Sequence, residues 1–112
     1  MLPILFSKLI IPQLYRLTEK NYHRDGVQCH FKDRKDAKGV DEDYIGTADT
    51  SYLCFRNVLK HAKKNNRQSI NGATWHTSDK KCYAEIGAKS LEDKLGWESC
   101  IFSGIAEKHC AV

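Results

Sequence analysis

Cysteine and histidine are the residue types of this chain that could bind a metal ion or act as nucleophile and base. The sequence contains five of each. The pairs Cys29–His30 and His109–Cys110 come nearest to such chemistry, but adjacent residues are poorly placed to chelate one ion, and no Cys-x-x-Cys spacing occurs. No third group that would orient or activate a thiolate can be identified. The sequence therefore predicts no enzyme activity, no metal site and no cofactor.

The spacing of the cysteines is wide and irregular, which is typical of disulfides formed in an oxidising compartment. Four cysteines lie in the patterned part of the chain, and four cysteines allow three connectivities. The fifth is left over near the carboxyl end, as a free thiol or as the partner in an intermolecular disulfide. The four are Cys29, Cys54, Cys82 and Cys100, and the fifth is Cys110.

Basic and aromatic side chains are the candidate ligand-binding groups. A cationic stripe on one side of a helix could bind sulfated glycans or acidic partners, or could be an ordinary solvated face. Tryptophan can stack on a sugar or anchor an interface, or can lie in the core. The candidates are Lys60, Lys63, Lys64 and Arg67 on the predicted helix, Trp75 and His76 before the turn of the predicted hairpin, and Lys80 and Lys81 in that hairpin.

The overall charge is only mildly basic. The chain carries 18 Lys plus Arg against 14 Asp plus Glu, for a net charge of +4. This excess disfavours nucleic acid as a partner, because nucleic-acid binders concentrate more positive charge. The 112 residues suffice for one globular domain with one core.

Hydrophobic periodicity predicts one amphipathic helix. Asp49, Thr50 or Ser51 can cap its start, and Cys54, Phe55, Val58, Leu59 and Ala62 then recur on one face. Alternation predicts strands over 27–31, 69–76, 81–86 and 97–102, with a hairpin joining the middle two. The charged segment 31–43 and the polar segment 87–96 are predicted as loops, the latter with a short helical turn at 91–95.

This order of elements predicts an α+β fold in which the helix packs on a mostly antiparallel sheet. Cys54 would lie on the apolar helix face and Cys82 in the hairpin, so that a helix packed on the sheet could join them. Cys29 and Cys100 then remain, and pairing of the first and last strands would join those two. This nested pattern is the preferred connectivity of the three.

The amino-terminal segment, 1–22, differs from the rest. It is apolar, but Lys8 interrupts it and no small-x-small cleavage site follows, so it is interpreted as an atypical leader, the edge of a fragment, or an amphipathic helix that Pro12 disturbs. It is too short and too interrupted to span a bilayer. The predicted domain covers 23–104, with a tail at 105–112.

Three stretches of the chain resemble the PAN/apple family: SYLCFRNVLKHAKKNN, NGATWHTSDKKCYAE and GWESCIF. The resemblance covers about two-thirds of the chain, and its four cysteine positions match Cys29, Cys54, Cys82 and Cys100. Many apple domains have a second helix cysteine one turn later, where this chain has Val58. The resemblance implies a curved antiparallel sheet that cradles one helix, and a non-catalytic role in binding proteins or carbohydrates.

Two functions are therefore weighed. The first is an extracellular recognition module for protein or carbohydrate ligands, which would have oxidised cysteines. The alternative is an intracellular basic protein with reduced cysteines that contacts nucleic acid or acidic partners. Oxidised, buried cysteines would favour the first.

Overall fold

The computed structural model describes residues 20–66 and 69–104 of the chain. The described residues form one helix and two antiparallel sheets. The helix is α1 (Ser51–Lys64), and the strands are β1 (Asn21–Arg24), β2 (Val27–His30), β3 (Lys32–Lys38), β4 (Asp41–Thr47), β5 (Ile70–His76), β6 (Lys81–Ile86), β7 (Ser90–Ile101) and β8 (Ser103–Gly104).

Helix α1 begins where the sequence predicts. Thr50 is its N-cap, and the Thr50 hydroxyl accepts a hydrogen bond from the Leu53 amide at 3.1 Å. The buried residues of the helix recur at helical spacing and pack on strands β5 and β6. They are Ser51, Cys54, Phe55, Val58 and Leu59.

The larger sheet has the strand order β3-β7-β5-β6-β4. The predicted β5–β6 hairpin is confirmed, with Ala73 opposite Ala84 and Trp75 opposite Cys82. The prediction of a loop over 31–43 is wrong, because β3 and β4 occupy most of that segment. Both are edge strands, and edge strands commonly carry charged side chains that oppose pairing with other chains. A charged edge strand therefore looks like a loop in the sequence.

The prediction of a loop with a helical turn over 87–96 is also wrong. Strand β7 runs from Ser90 through Ile101, so its polar first half and apolar second half form one element. The first half pairs with β3, and the second half pairs with both β3 and β5. Backbone pairing with β3 overrides the weak strand propensity of the polar first half.

Strands β3 and β4 lie at opposite edges of the larger sheet, yet only Gly39 and Val40 separate them. The Val40 amide donates to the Ile86 carbonyl at 3.0 Å, and the Lys89 amide donates to the Lys38 carbonyl at 2.8 Å. The link between β3 and β4 therefore lies against the link between β6 and β7. Because so short a link joins them, the two edges of the sheet approach each other at this end.

The smaller sheet has the order β1-β2-β8. The nested disulfide pattern is confirmed: Cys29 is bonded to Cys100, and Cys54 to Cys82. However, the expectation that Cys29 and Cys100 lie on paired strands is wrong. Cys29 belongs to β2 and Cys100 to β7, so this bond joins the two sheets.

The predicted α+β fold, with a helix on antiparallel strands and two disulfides, is confirmed. The predicted domain boundary between residues 22 and 23 falls inside β1, which begins at Asn21. The predictions for residues 1–19, for the tail 105–112 and for Cys110 lie outside the described residues. Within the described ranges, none of the helical segments has the length and apolar character needed to cross a membrane.

Candidate ligand-binding surface

The larger sheet has two faces with different roles. The first face packs against α1 through Ala73, Cys82, Ala84 and Ile86. Since successive side chains of a strand point to opposite faces, His76 and Tyr83 lie on the second face, away from the helix. The second face is therefore the side of the sheet that α1 leaves uncovered.

Four rings form a continuous row across the second face, which we name the aromatic row. It comprises Trp97 of β7, His76 of β5, Tyr83 of β6 and Tyr44 of β4. Successive ring centroids are 4.0, 5.0 and 5.4 Å apart, and the first pair is stacked. The strand register explains the row, because His76 is paired with Trp97 and Tyr83 with Tyr44. Such cross-strand aromatic pairs stabilise a sheet.

A lysine lies at each end of the aromatic row. The Lys94 ammonium is 4.9 Å from the centroid of the Trp97 ring, and the Lys81 ammonium is 5.9 Å from that of Tyr44. Tyr44 is 54% exposed and His76 only 8%, so the row is most accessible at its Tyr44 end. Aromatic faces flanked by mobile cations can contact a sugar ring and an anionic substituent together.

A depression of about 300 Å³ lies beside the Trp97 end of the row. A bulge in β7 forms part of it, because the β3–β7 register shifts between Asp33 and Lys35. Both the Thr77 amide and the Thr77 hydroxyl donate to the Gly96 carbonyl, at 2.9 and 3.0 Å, and fix the bulge to the β5–β6 turn. Bulges often orient side chains at functional sites. The lining residues are Asp33, Arg34, Thr77, Leu95, Gly96, Trp97 and Glu98.

The structure separates two candidates that are adjacent in the sequence. His76 belongs to the aromatic row, whereas Trp75 packs against the core on the helix side. The Trp75 indole donates to the Ala48 carbonyl at 2.9 Å, so its polar edge is satisfied inside the protein. Trp75 is therefore a structural residue in this arrangement.

The two candidate lysines where the β5–β6 turn meets β6 also diverge. Lys81 reaches the Tyr44 ring and lies 4.0 Å from Asp79, whereas Lys80 lies 4.0 Å from Asp49. The Lys81 amide donates to the Asp79 carboxylate at 3.1 Å, and this hydrogen bond is the main cause that lowers the pKa of Asp79. Only Lys81 of this pair contacts the aromatic row.

The helix candidates lie apart from the aromatic row. Lys60, Lys63 and Lys64 are exposed on α1, which packs on the opposite face of the sheet. Lys63 is 3.4 Å from Asp25, so its charge is partly balanced. Arg67 lies outside the described residues.

The sequence alone did not indicate Tyr44, Tyr83, Lys94 or Trp97 as residues of a binding site. Their common feature is that they lie beside His76, or beside one another, on neighbouring strands of the same sheet. Only the register of the strands reveals it, because these residues are far apart in the sequence. The alternation of β5 alone could have separated Trp75 from His76.

A second cluster on the larger sheet consists of three carboxylates, those of Asp36 on β3, Glu42 on β4 and Glu85 on β6. One oxygen from each lies within 4.8 Å of the other two. Burial is the main cause that raises the pKa of Glu85 to about 8; a hydrogen bond with Thr74 opposes it, and the charges of Glu42 and Asp36 add to it. Burial also raises the pKa of Asp36. We name these residues the carboxylate cluster.

The four described cysteines are all in disulfides, so none is available as a thiolate nucleophile or a zinc ligand. Comparison with known proteins adds no relative: the chain matches no protein-family model, no curated protein and no solved structure. The resemblance to the PAN/apple family stays a prediction. The function must be argued from the surface itself.

Proposed function

We propose that this protein is a non-catalytic extracellular recognition module that binds protein or carbohydrate ligands. The aromatic row is its contact surface, and an anionic carbohydrate is the ligand class that the row fits best. The observation that carries the proposal is a set of four stacked or adjacent rings with a lysine at each end.

The chemistry of the row supports a saccharide ligand. Tyr and Trp offer rigid apolar faces to the C–H face of a sugar at low entropic cost. Lys81 and Lys94 would then attract sulfate or carboxylate substituents. Their flexible stems can move aside when a sugar ring approaches the aromatic faces.

Three properties support the extracellular part of the proposal. The two disulfides are intramolecular and buried, which is typical of oxidising compartments. The nested cysteine pattern is the one that the PAN/apple resemblance implies. The approach of the sheet edges at Gly39 and Val40 supports the curved sheet expected for that family.

Substitutions at the Tyr44 end of the row test this proposal, with immobilised heparin and a neutral polysaccharide as probes. We expect Tyr44→Ala and the pair Lys81→Ala/Lys94→Ala each to weaken heparin binding by about tenfold, equivalent to about 1.4 kcal/mol. Tyr44→Phe retains the ring and should bind nearly as well as the wild type. Affinity is measured by surface plasmon resonance on protein with intact disulfides.

The matched control is the pair Lys60→Ala/Lys64→Ala, which removes the same charge from exposed positions of α1. If this control weakened binding as much as the Lys81/Lys94 pair, the helix stripe and not the row would be the binding surface. Absence of wild-type binding to both probes would contradict the carbohydrate proposal. Preferential binding to RNA would favour the alternative of a basic nucleic-acid-binding protein.

A further inference from the structure

Three strands bring the carboxylate cluster together. Glu42 and Glu85 are direct partners in the β4–β6 ladder, so their side chains share one face of the sheet. Asp36 joins them from the opposite edge, since β3 and β4 are separated only by Gly39 and Val40. The cluster is therefore a consequence of the way the sheet edges meet, and no sequence motif marks it.

The burial of Glu85 is the independent observation that points to a ligand. Glu85 is only 2% exposed, and its Oε2 atom is buried and has no hydrogen-bond partner among the described residues. The Oδ1 atom of Asp36 is buried and unpartnered in the same way. Burying a carboxylate beside two others is costly unless a cation or proton compensates the charge. Two buried carboxylate oxygens of the cluster residues therefore have no partner among the described residues that would compensate their burial.

We propose that Asp36, Glu42 and Glu85 bind one calcium ion, with water molecules completing its coordination. Calcium binds carboxylate oxygens at about 2.3–2.6 Å, so oxygens on opposite sides of one ion are about 4.6–5.2 Å apart. All three oxygens lie within 4.8 Å of one another, which is close enough for a single calcium ion to contact them together. Calcium also accepts irregular geometry, which suits ligands from three separate strands, whereas magnesium demands a near-ideal octahedron.

The surroundings of the cluster are compatible with exchange of an ion. Glu42 is exposed, so it provides an open side through which calcium and water can enter. The negative charge of Glu92 disfavours ionisation of the Asp36 carboxyl, whereas the positive charge of Lys94 favours it. The pair Lys38–Glu92, at 3.3 Å, partly neutralises Glu92.

Calcium binding would be a property separate from ligand recognition, although the two sites are neighbours. Glu42 and Tyr44 are two residues apart on β4, as are Glu85 and Tyr83 on β6. A bound ion would therefore tie together three strands beside the Tyr44 end of the aromatic row. Heparin binding measured in a chelator tests the recognition proposal without this site, so the two proposals can fail independently.

Isothermal titration calorimetry of the disulfide-bonded, chelator-treated protein with calcium chloride tests the proposal. We expect one calcium ion per chain with a Kd of about 0.1–1 mM, the range of extracellular calcium modules. Glu42→Gln, at an exposed position, should weaken binding at least about tenfold, and Glu85→Gln should abolish it. Asp93→Asn is the matched control, since its side chain is 91% exposed and is paired with Lys35 outside the cluster.

A thermal readout keeps the test decisive if a variant folds poorly. Calcium should raise the Tm of the wild type and of Asp93→Asn by similar amounts, and should raise the Tm of Glu42→Gln clearly less at the same concentration. The absence of both binding heat and a Tm shift with calcium up to about 10 mM, well above the expected Kd, would overturn the proposal. Equal affinity of the wild type and Glu42→Gln would also overturn it, and would leave a shared proton as the compensating charge. Magnesium binding as tight as calcium binding would overturn the choice of ion.

Discussion

At the scale of single residues, Glu85 shows how burial and charge determine chemistry. Its carboxyl is buried next to the carboxylates of Glu42 and Asp36. This environment raises the pKa of Glu85 from 4.5 to about 8. In the unfolded chain the same carboxyl is exposed and ionises near its ordinary pKa. The folded protein consequently holds a proton that the unfolded chain releases between those two values.

This difference predicts how stability changes with pH in the presence of a chelator. Because the folded state binds more protons, the free energy of unfolding should fall as pH rises from 4.5 to about 8. The Tm of the wild type should therefore also fall over this pH range. We expect the fall in Tm to be smaller in Glu85→Gln by at least about 4 °C, equivalent to roughly 1 kcal/mol in a domain of this size. Differential scanning calorimetry across this pH window provides the measurement.

The variant is needed because Glu85 is not the only buried carboxyl whose pKa is raised. Burial also raises the pKa of Glu98, although its ion pair with Lys20 opposes this effect. The slope of the wild type alone therefore combines several groups, and the difference from Glu85→Gln isolates one. Parallel Tm curves for the wild type and the variant would contradict the assignment to Glu85.

At the scale of elements, the two disulfides attach different parts of the fold. The Cys54–Cys82 bond holds α1 on the larger sheet, and the Cys29–Cys100 bond holds the smaller sheet on the larger one. The bonds close loops with sequence separations of 28 and 71 residues, respectively. The longer loop restricts the unfolded chain more.

Removal of each bond by a double alanine substitution should reveal this ranking. In the chain-entropy account, the inner bond contributes about 3.6 kcal/mol and the outer bond about 4.4 kcal/mol to the free energy of unfolding. All four cysteines are at most 1% exposed, so the packing losses are comparable. Urea unfolding of Cys54→Ala/Cys82→Ala and Cys29→Ala/Cys100→Ala measures the difference. A greater loss from the inner pair would contradict the entropic ranking.

Elements with a strong local pattern could be predicted from the sequence, and those defined by long-range pairing could not. Helix α1 has a capping threonine and an apolar stripe, and the β5–β6 hairpin alternates on either side of a turn. Strand β3 has only Ala37 buried, because it lies at a charged sheet edge. Its pairing with β7 joins residues that are more than fifty positions apart, and no local signal reports such a contact.

The same reason explains which functional residues could be found. The Cys54–Cys82 pair follows from helix and hairpin positions and is confirmed; the remaining pair, Cys29–Cys100, is also confirmed, although it joins two sheets and not two paired strands. The aromatic row and the carboxylate cluster both depend on the register of β4 against β6, where Tyr44 faces Tyr83 and Glu42 faces Glu85. The sequence predicted a loop at Glu42, so neither partner could be assigned to a shared face.

At the scale of the whole molecule, the helix and disulfides form one side and the proposed ligand surface forms the other. The apolar stripe of α1 packs on one face of the larger sheet, and the aromatic row lies on the second face, where it is most exposed at Tyr44. The exposed lysines of α1 would then serve as a solvated surface, which is the usual role of an outer helix face.

The most direct test of the recognition proposal is a nuclear magnetic resonance titration of the isotope-labelled, disulfide-bonded protein with a heparin-derived oligosaccharide. We predict the largest shifts at Tyr44, Lys81 and the Trp97 indole, because the ligand would lie along the aromatic row. Shifts confined to the helix around Lys60 and Lys64, or no shifts at saturating ligand, would contradict the proposal that this row is the carbohydrate-binding surface.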